Sequence, residues 1–291
     1  MSGQLYLLPC PISEAPALDA LPASTVETPR RIDHFLVEAA RTARATLKAM
    51  GHPKPIAELD IVEIGHDPAP ELISEWLQPV LDGADAAVLS ESGCPGVADP
   101  GAQIAARAHE LGIRVVPLTG PSSILLTLMA SGLDGQRFRF SGYLPKHDAE
   151  RRAAILAAEK ASRASETQLF IETPYRNTAL LDALLETLAP DTRLTVAIDV
   201  TGQNESIRTL TAAAWKAIPK AMRTLPKLPT VFAFLAKPGK TAPRYAPECA
   251  GGKRAHTAPS SKPAALNNRP KQAYKTHRPE GSPVKTLKGG R

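Results

Sequence analysis

Short apolar runs alternate with longer stretches of helical periodicity through the first 118 residues. QLYLL (residues 4–8), IDHFLVE (32–38), LDIVEI (59–64), AAVL (86–89) and IRVVPL (113–118) have the length and composition of buried strands. Between them, residues 13–21, 38–51, 70–83 and 102–112 read as helices, with Ser13 capping the first and Gly51 stopping the second. In the third, Leu72, Ile73, Trp76, Leu77 and Val80 fall at helical spacing, and Pro79 inside the run predicts a bend or a shortening. Strands that alternate with helices predict a mostly parallel sheet. TGPSSILLTLMASG (119–132) interrupts this rhythm: Gly120 and Pro121 turn the chain, and Ser122 or Ser123 caps an apolar helix. A domain boundary is placed there, giving an α/β domain over 1–118 and a second domain over 119–238. In the second, strands at 138–142, 168–172, 194–200, 209–210 and 230–236, with helices near 148–161 and 176–189, predict an α+β arrangement with a mixed sheet.

Beyond Pro238 the pattern stops. Pro, Lys, Arg, Ala, Ser and Gly dominate, and residues 239–291 hold too little apolar surface to offset the entropy of ordering, so they are expected to be a disordered tail. The net charge of +6 hides an asymmetry, because this tail carries about 12 lysines and arginines against 2 glutamates. The tail is thus roughly +10 and the body roughly −4. Such a tail suits either a solubilising appendage or a non-specific arm for nucleic acid. Three cysteines and seven histidines show no metal-ligand spacing, which argues for a reducing cytoplasm, no disulfide framework and no metal. The N-terminus lacks a signal-peptide pattern, and no apolar run approaches the roughly 18 residues of a membrane helix. The expectation is a soluble cytoplasmic protein.

Candidate chemistry centres on SESGCPGVADPG (residues 90–101), which follows the run AAVL and precedes a helix. Gly93, Gly96 and Gly101 permit sharp turns and close approach to a ligand, and Pro95 and Pro100 stiffen the path. In α/β proteins ligands bind beyond the carboxyl ends of the strands, where this loop falls. Ser90, Glu91, Ser92 and Asp99 make a polar ligand the expectation. Neither a P-loop nor the G-x-G-x-x-G dinucleotide fingerprint is present. Cys94 reads as a small loop residue rather than a nucleophile, since nothing in the sequence marks a thiolate-favouring environment.

Five segments in order carry a family resemblance across roughly residues 4–236. SESGCPGVADPG resembles the S-D-A-G-x-P-G-x-x-D-P-G loop of the tetrapyrrole-methylase-like, class III S-adenosylmethionine-dependent methyltransferases. PLTGPSSILLTLMASGL, RFRFSGYLPKH, FIETPYR and HFLVEAARTARATLKAMG are similar to further motifs of that family, above all in its branch that methylates small-subunit ribosomal RNA. The resemblance implies a two-domain α/β enzyme, commonly a homodimer, that binds S-adenosylmethionine between its domains. It assigns to the cofactor Ser90, Glu91, Ser92, Gly93, Pro95, Gly96, Val97 and Asp99 from the first domain. Gly120, Pro121, Ser122, Ser123, Thr173, Val200 and Thr201 would close the other side. Asp99 either orients the loop by accepting its N–H bonds or faces the ligand directly. Glu38 and Glu172 are candidate acceptors for the proton of a ribose 2′-hydroxyl, or else structural carboxylates paired with Arg41 or Arg176. Arg41, Lys146, Arg151, Arg152 and Arg176 are candidate RNA contacts, or else a solvated basic face. The chain departs from the family pattern at Ala39 and Ala40, at Ile12 and Ser13, at His147 and at Gly202, changes that bear on the substrate more than on fold or cofactor. Methylation of small-subunit rRNA is the leading reading, with a tetrapyrrole or other small-molecule acceptor, or a ribosome-associated RNA-binding protein with little catalysis, as alternatives.

Overall fold

A computed structural model describes residues 2–13, 19–65 and 68–238. The predicted tail, 239–291, lies outside the described residues, as does most of the first predicted helix.

The first half builds one sheet from β1 (Gln4–Leu8), β2 (His34–Val37), β3 (Asp60–Glu63), β4 (Ala86–Leu89) and β5 (Arg114–Pro117). Their order is β3-β2-β4-β1-β5, and every adjacent pair is parallel. Successive side chains point to opposite faces of a strand, and both faces here are covered. Tyr6, Leu8, Phe35, Val37, Ala87 and Leu89 pack beneath Ala43 and Leu47 of α2 (Ala40–Ala49). Leu5, Leu36, Ala86 and Val88 pack on the other side. Their partners are Ile73 and Leu77, from α3 (Pro70–Trp76) and its end, Val80 of α4 (Gln78–Leu81), and Ile104 and Ala108 of α5 (Gly101–Glu110). Double coverage explains why these strands read as unbroken apolar runs. The run holding Pro79 is shortened as expected, α3 ending at Trp76, and beyond Leu77 a separate short helix, α4, begins. One expectation is corrected at its end: residues 19–21 form a turn, and the first helix among the described residues is α1 (Ala23–Glu27), which Pro22 leads into with a φ already near the helical value.

The second half opens with α6 (Ser123–Ser131), whose Ser122 side chain accepts from the Leu125 N–H and whose chain leaves through Gly132 at φ 66°. There follow β6 (Phe138–Tyr143), α7 (Asp148–Ser162), β7 (Thr167–Glu172), α8 (Asn177–Thr187), β8 (Arg193–Ile198), β9 (Ser206–Thr211), α9 (Ala212–Ala217) and β10 (Thr230–Leu235). The sheet order is β6-β7-β10-β8-β9. β6 and β7 run parallel and the other pairs antiparallel, so the sheet is mixed. Phe170, Val196, Phe232 and Phe234 bury one face against α7, α8 and α9. Leu169, Ala197, Val231 and Ala233 bury the other against Ile124 and Leu128 of α6.

Three expectations change here. The strand predicted at 209–210 is the six-residue β9, paired along its whole length with β8. α9 is too short to show periodicity, and buried Trp215, whose indole N–H donates to the Leu194 carbonyl at 2.8 Å, holds it in place. β8 ends at Ile198 instead of reaching residue 200, because Asp199 (φ 48°) and Thr201 (φ 69°) turn the chain through left-handed conformations.

Candidate functional site

The sheet order brings the carboxyl ends of β2, β4, β1 and β5 side by side, so the segments that leave them share one edge. The second sheet presents to the same region the ends of β6, β7 and β8. β10 runs antiparallel to β7 and β8 and therefore contributes its beginning, with Thr230 opposite Glu172 and Ile198. Between these edges lies a cleft of about 390 Å³. From the first half it is lined by Ile12, Glu38, Glu91, Ser92, Val97, Ala98 and Asp99, and from the second by Ser123 and Ile124 at the start of α6. The far wall is Phe140, Tyr143, Ile171 to Pro174, Val200 and Pro229 to Val231. A second hollow, about 500 Å³, shares Ile12, Glu91, Ser92 and Pro229 with the first and extends to Asp199, Asn204 and Lys227.

One carboxylate holds the loop after β4. Asp99 Oδ1 accepts the N–H groups of Gly96 and Gly101, each at 2.7 Å. The glycines make this clasp possible. Gly96 sits at φ 83°, and a Cβ on Gly101 would lie 2.9 Å from both Asp99 Oδ1 and the Gly96 nitrogen. Asp99 Oδ2 is buried with no hydrogen-bond partner among the described residues, beside a cleft that Asp99 also lines. Ala98, also in the lining, is held at φ 65°, a conformation that costs a non-glycine residue of order 1 kcal/mol or more. Reciprocal bonds between Cys10 and Gly93 (2.8 and 3.1 Å) tie the loop to the chain leaving β1. Gly120 passes so close to Pro9 that a Cβ would collide with its ring. Burial pushes the Cys10 thiol up from 9.0 to about 12, with Asp99 adding to the rise and the Thr46 side chain opposing it. Burial, then Asp99, also raises the Cys94 thiol, whose sulfur faces the Pro121 carbonyl at 3.4 Å. Both sulfurs are thereby kept as thiols, the unreactive form.

Of the residues singled out from sequence, the cleft gathers Glu38, Glu91, Ser92, Val97, Asp99, Ser123, Glu172, Thr173 and Val200. Ser90, Gly93, Pro95, Gly96, Gly120, Pro121 and Ser122 shape the loops behind it without lining it. Thr201 reaches across to the first half, its hydroxyl 3.1 Å from that of Ser13. Glu38 Oε2 accepts the Glu91 N–H at 3.0 Å. Glu172 is buried, accepts the Thr173 N–H at 2.7 Å and lies 3.1 Å from Arg176, the ion-paired alternative considered for it. The basic candidates do not line the cleft. Arg151 is held by the Lys146 carbonyl at 2.9 Å and Asp148 at 2.5 Å, folding over the first turn of its own helix. Arg41, Lys146 and Arg152 are solvent-exposed. Sequence reasoning missed Tyr143, Ile171, Pro174 and Pro229 to Val231. The first three stand in motifs already noted, whereas nothing local marks the approach to β10, which joins the site only through antiparallel pairing. Every ionisable side chain of the lining other than Tyr143 is a carboxylate, and the apolar residues cluster on the second-half wall. The cleft therefore suits a ligand with a cationic centre and a flat apolar part. Among the described residues no group of three or more His, Cys, Asp or Glu is placed to hold a metal, and no helix is long and apolar enough to cross a membrane.

The family model for tetrapyrrole (corrin/porphyrin) methylases matches residues 18–215, well over half of the chain. The chain belongs to that family. Curated relatives named ribosomal RNA small subunit methyltransferase I agree. The protein from Mesorhizobium japonicum is 33% identical over 210 residues, 72% of this chain and 68% of its own length. That from Pseudomonas aeruginosa is 28% identical over 73% of this chain and 71% of its own. That from Neisseria meningitidis serogroup B is 29% identical over 69% of this chain, which spans 65% of the relative's length. Among solved structures, diphthine synthase superposes with a TM-score of 0.55 at 16% identity, covering 80% of this chain and 90% of its own. The methyltransferase CobJ superposes at 0.52 and 16%, covering 81% and 95%. These two likenesses establish the fold, a parallel first sheet followed by a mixed second one.

Proposed function

We propose that this protein transfers a methyl group from S-adenosylmethionine to a ribose 2′-hydroxyl of small-subunit ribosomal RNA, in the cytoplasm and as a homodimer. The observation that carries the reading is the acidic cleft between the two sheets in a chain whose curated relatives are named for rRNA methylation. The division at residues 118 and 119 belongs to this reading, with one domain supplying the clasped loop and the other the apolar wall. The residues present fit the cofactor. Glu38, Glu91 and Asp99 would face its positive charge, with the unpartnered Asp99 Oδ2 as an acceptor, and Ile124, Ile171, Val200 and Val231 would cover its adenine. When bound, that cofactor supplies an electrophilic methyl group on a sulfonium.

The protein's part is to position the two reactants and keep water away, which is enough to account for much of the rate of an in-line displacement. The acceptor hydroxyl must also lose its proton. Glu172 pairs with the Arg176 guanidinium, which takes up its charge and makes it a poorer base. We assign proton acceptance to Glu38, which lines the cleft and whose Oε2 accepts the Glu91 N–H, and a structural role to Glu172. The test is transfer of labelled methyl from S-adenosylmethionine to small ribosomal subunits from cells lacking this protein, with the labelled nucleotide mapped. Label on one ribose is expected. A second reading, a tetrapyrrole acceptor, draws on the family's description. It gains if subunits and free rRNA stay unlabelled while a porphyrinoid takes the label. Cofactor binding with no transfer to either would favour a ribosome-associated binding protein.

A further inference from the structure

The cleft has no lysine, arginine or histidine among its lining residues, and its ionisable groups include Glu38, Glu91, Asp99 and Glu172. A phosphodiester brought inside would meet carboxylates and no cation of the lining, so an RNA strand must leave its phosphates on the rim and insert a nucleoside alone. That requirement means unstacking the target nucleotide, and an unstacked base needs a surface to lie on. The rim offers one. Tyr175 follows directly on the Thr173–Pro174 wall, and the residue is 81% exposed. An aromatic that exposed serves no purpose in the core, and this chain holds only five tyrosines. Lys227, which borders the adjoining hollow, places its ammonium 5.2 Å from the centre of the Tyr175 ring.

A buried clasp fixes this pairing. Asn177, two residues after the tyrosine and fully buried, donates from Nδ2 to the Leu228 carbonyl at 2.8 Å and to Thr230 Oγ1 at 2.9 Å. Leu228 is the residue after Lys227, so the tyrosine and the lysine stand on segments that one side chain holds together. The platform and its cation are preorganised.

We infer that Tyr175 is the stacking platform for the base of the unstacked target nucleotide, or of its immediate neighbour, and that Lys227 contacts the adjacent phosphate. The assignment rests on the rRNA reading above. The base lies on the open face of the ring while the ribose reaches toward Glu38. Stacking tolerates any base, so this contact supplies affinity and placement, not sequence discrimination. Tyr175 acts as a positioning residue and takes no part in the chemical step.

The test compares full-length wild type, Tyr175→Ala, Tyr175→Phe and Lys227→Gln on small ribosomal subunits from cells lacking this protein, with S-adenosylmethionine affinity measured in parallel. Tyr175→Ala is expected to raise KM for subunits about tenfold or more with cofactor affinity unchanged, and Tyr175→Phe, which keeps the ring, to match wild type. Lys227→Gln should weaken binding and reduce the slope of log affinity against log salt by about one. Exposure of Tyr175 means the alanine variant keeps its fold, which a melting curve verifies. A wild-type KM in Tyr175→Ala, or equal damage in the phenylalanine and alanine variants, overturns the platform while leaving the rRNA reading intact. Wild type that fails to methylate subunits overturns both.

Discussion

At the scale of single residues, Asp99 has the largest consequences, because one oxygen holds two backbone donors of the clasped loop. Asp99→Ala leaves both N–H groups without their acceptor. A loss of about 1–3 kcal/mol in urea unfolding is expected, with a larger proportional loss of S-adenosylmethionine affinity by calorimetry. Asp99→Asn keeps the acceptor and should retain most of the stability. Cys10 has a signature in pH. Its native thiol is raised to about 12 against an ordinary 9.0. Below the lower value both native and unfolded states hold the proton, and the site's contribution to stability is complete. Between the two values the unfolded thiol ionises and the native one does not, so stability falls as pH rises, by at most about 1.4 kcal/mol per unit. Cys10→Ala should show a flatter decline between about pH 8.5 and 10.5 in chemical denaturation. Asp99 was legible from the sequence because it lies among glycines in a recognisable loop. Cys10 was not, since its surroundings come from strands far along the chain.

At the scale of elements, packing between helices and the connections beside them depends on a few buried polar contacts. Glu159 of α7 accepts the Ala189 N–H at 2.8 Å and the Thr192 hydroxyl at 2.5 Å, fixing the turn between α8 and β8. Glu159→Ala is expected to cost about 1–3 kcal/mol in urea denaturation, and Glu159→Gln less, since an acceptor oxygen remains. On a helical wheel this glutamate looks like one more solvated acid, which is why periodicity alone passed over it. The strands of the first sheet were legible because burial on both faces makes them uniformly apolar. β9 was legible only at Thr209 and Leu210, because as an edge strand with mixed exposure, SIRTLT, it lacks that signal along the rest of its length. The end of β8 was missed for a conformational reason, the positive φ of Asp199 and Thr201, neither of which is a glycine.

At the scale of the whole molecule, the charge asymmetry makes a prediction about RNA. On the proposed rRNA reading, removing residues 239–291 takes away roughly +10 of charge, so affinity for ribosomal RNA should drop and its dependence on salt should become shallower, measured by filter binding across a salt series. The first-half side of the cleft could be anticipated, because each of its segments follows a strand and carries recognisable residues, and so could Glu172, Thr173 and Val200 of the facing wall. The rest of that wall comes from long-range pairing, which places Pro229 to Val231 beside Thr173 although more than fifty residues separate them. The clasp of Asp99 on Gly96 and Gly101 also bears on how this protein can change over generations. A loop that presents main-chain groups needs few particular side chains, so tolerance to replacement should be sharply uneven along it. In a saturation library selected for methylation, Ser92 and Val97 would accept many residues. Asp99, Gly101 and, in the loop packed on Pro9, Gly120 would accept almost none. A lineage is then free to remodel the rim toward a new acceptor while the cradle beneath it stays fixed.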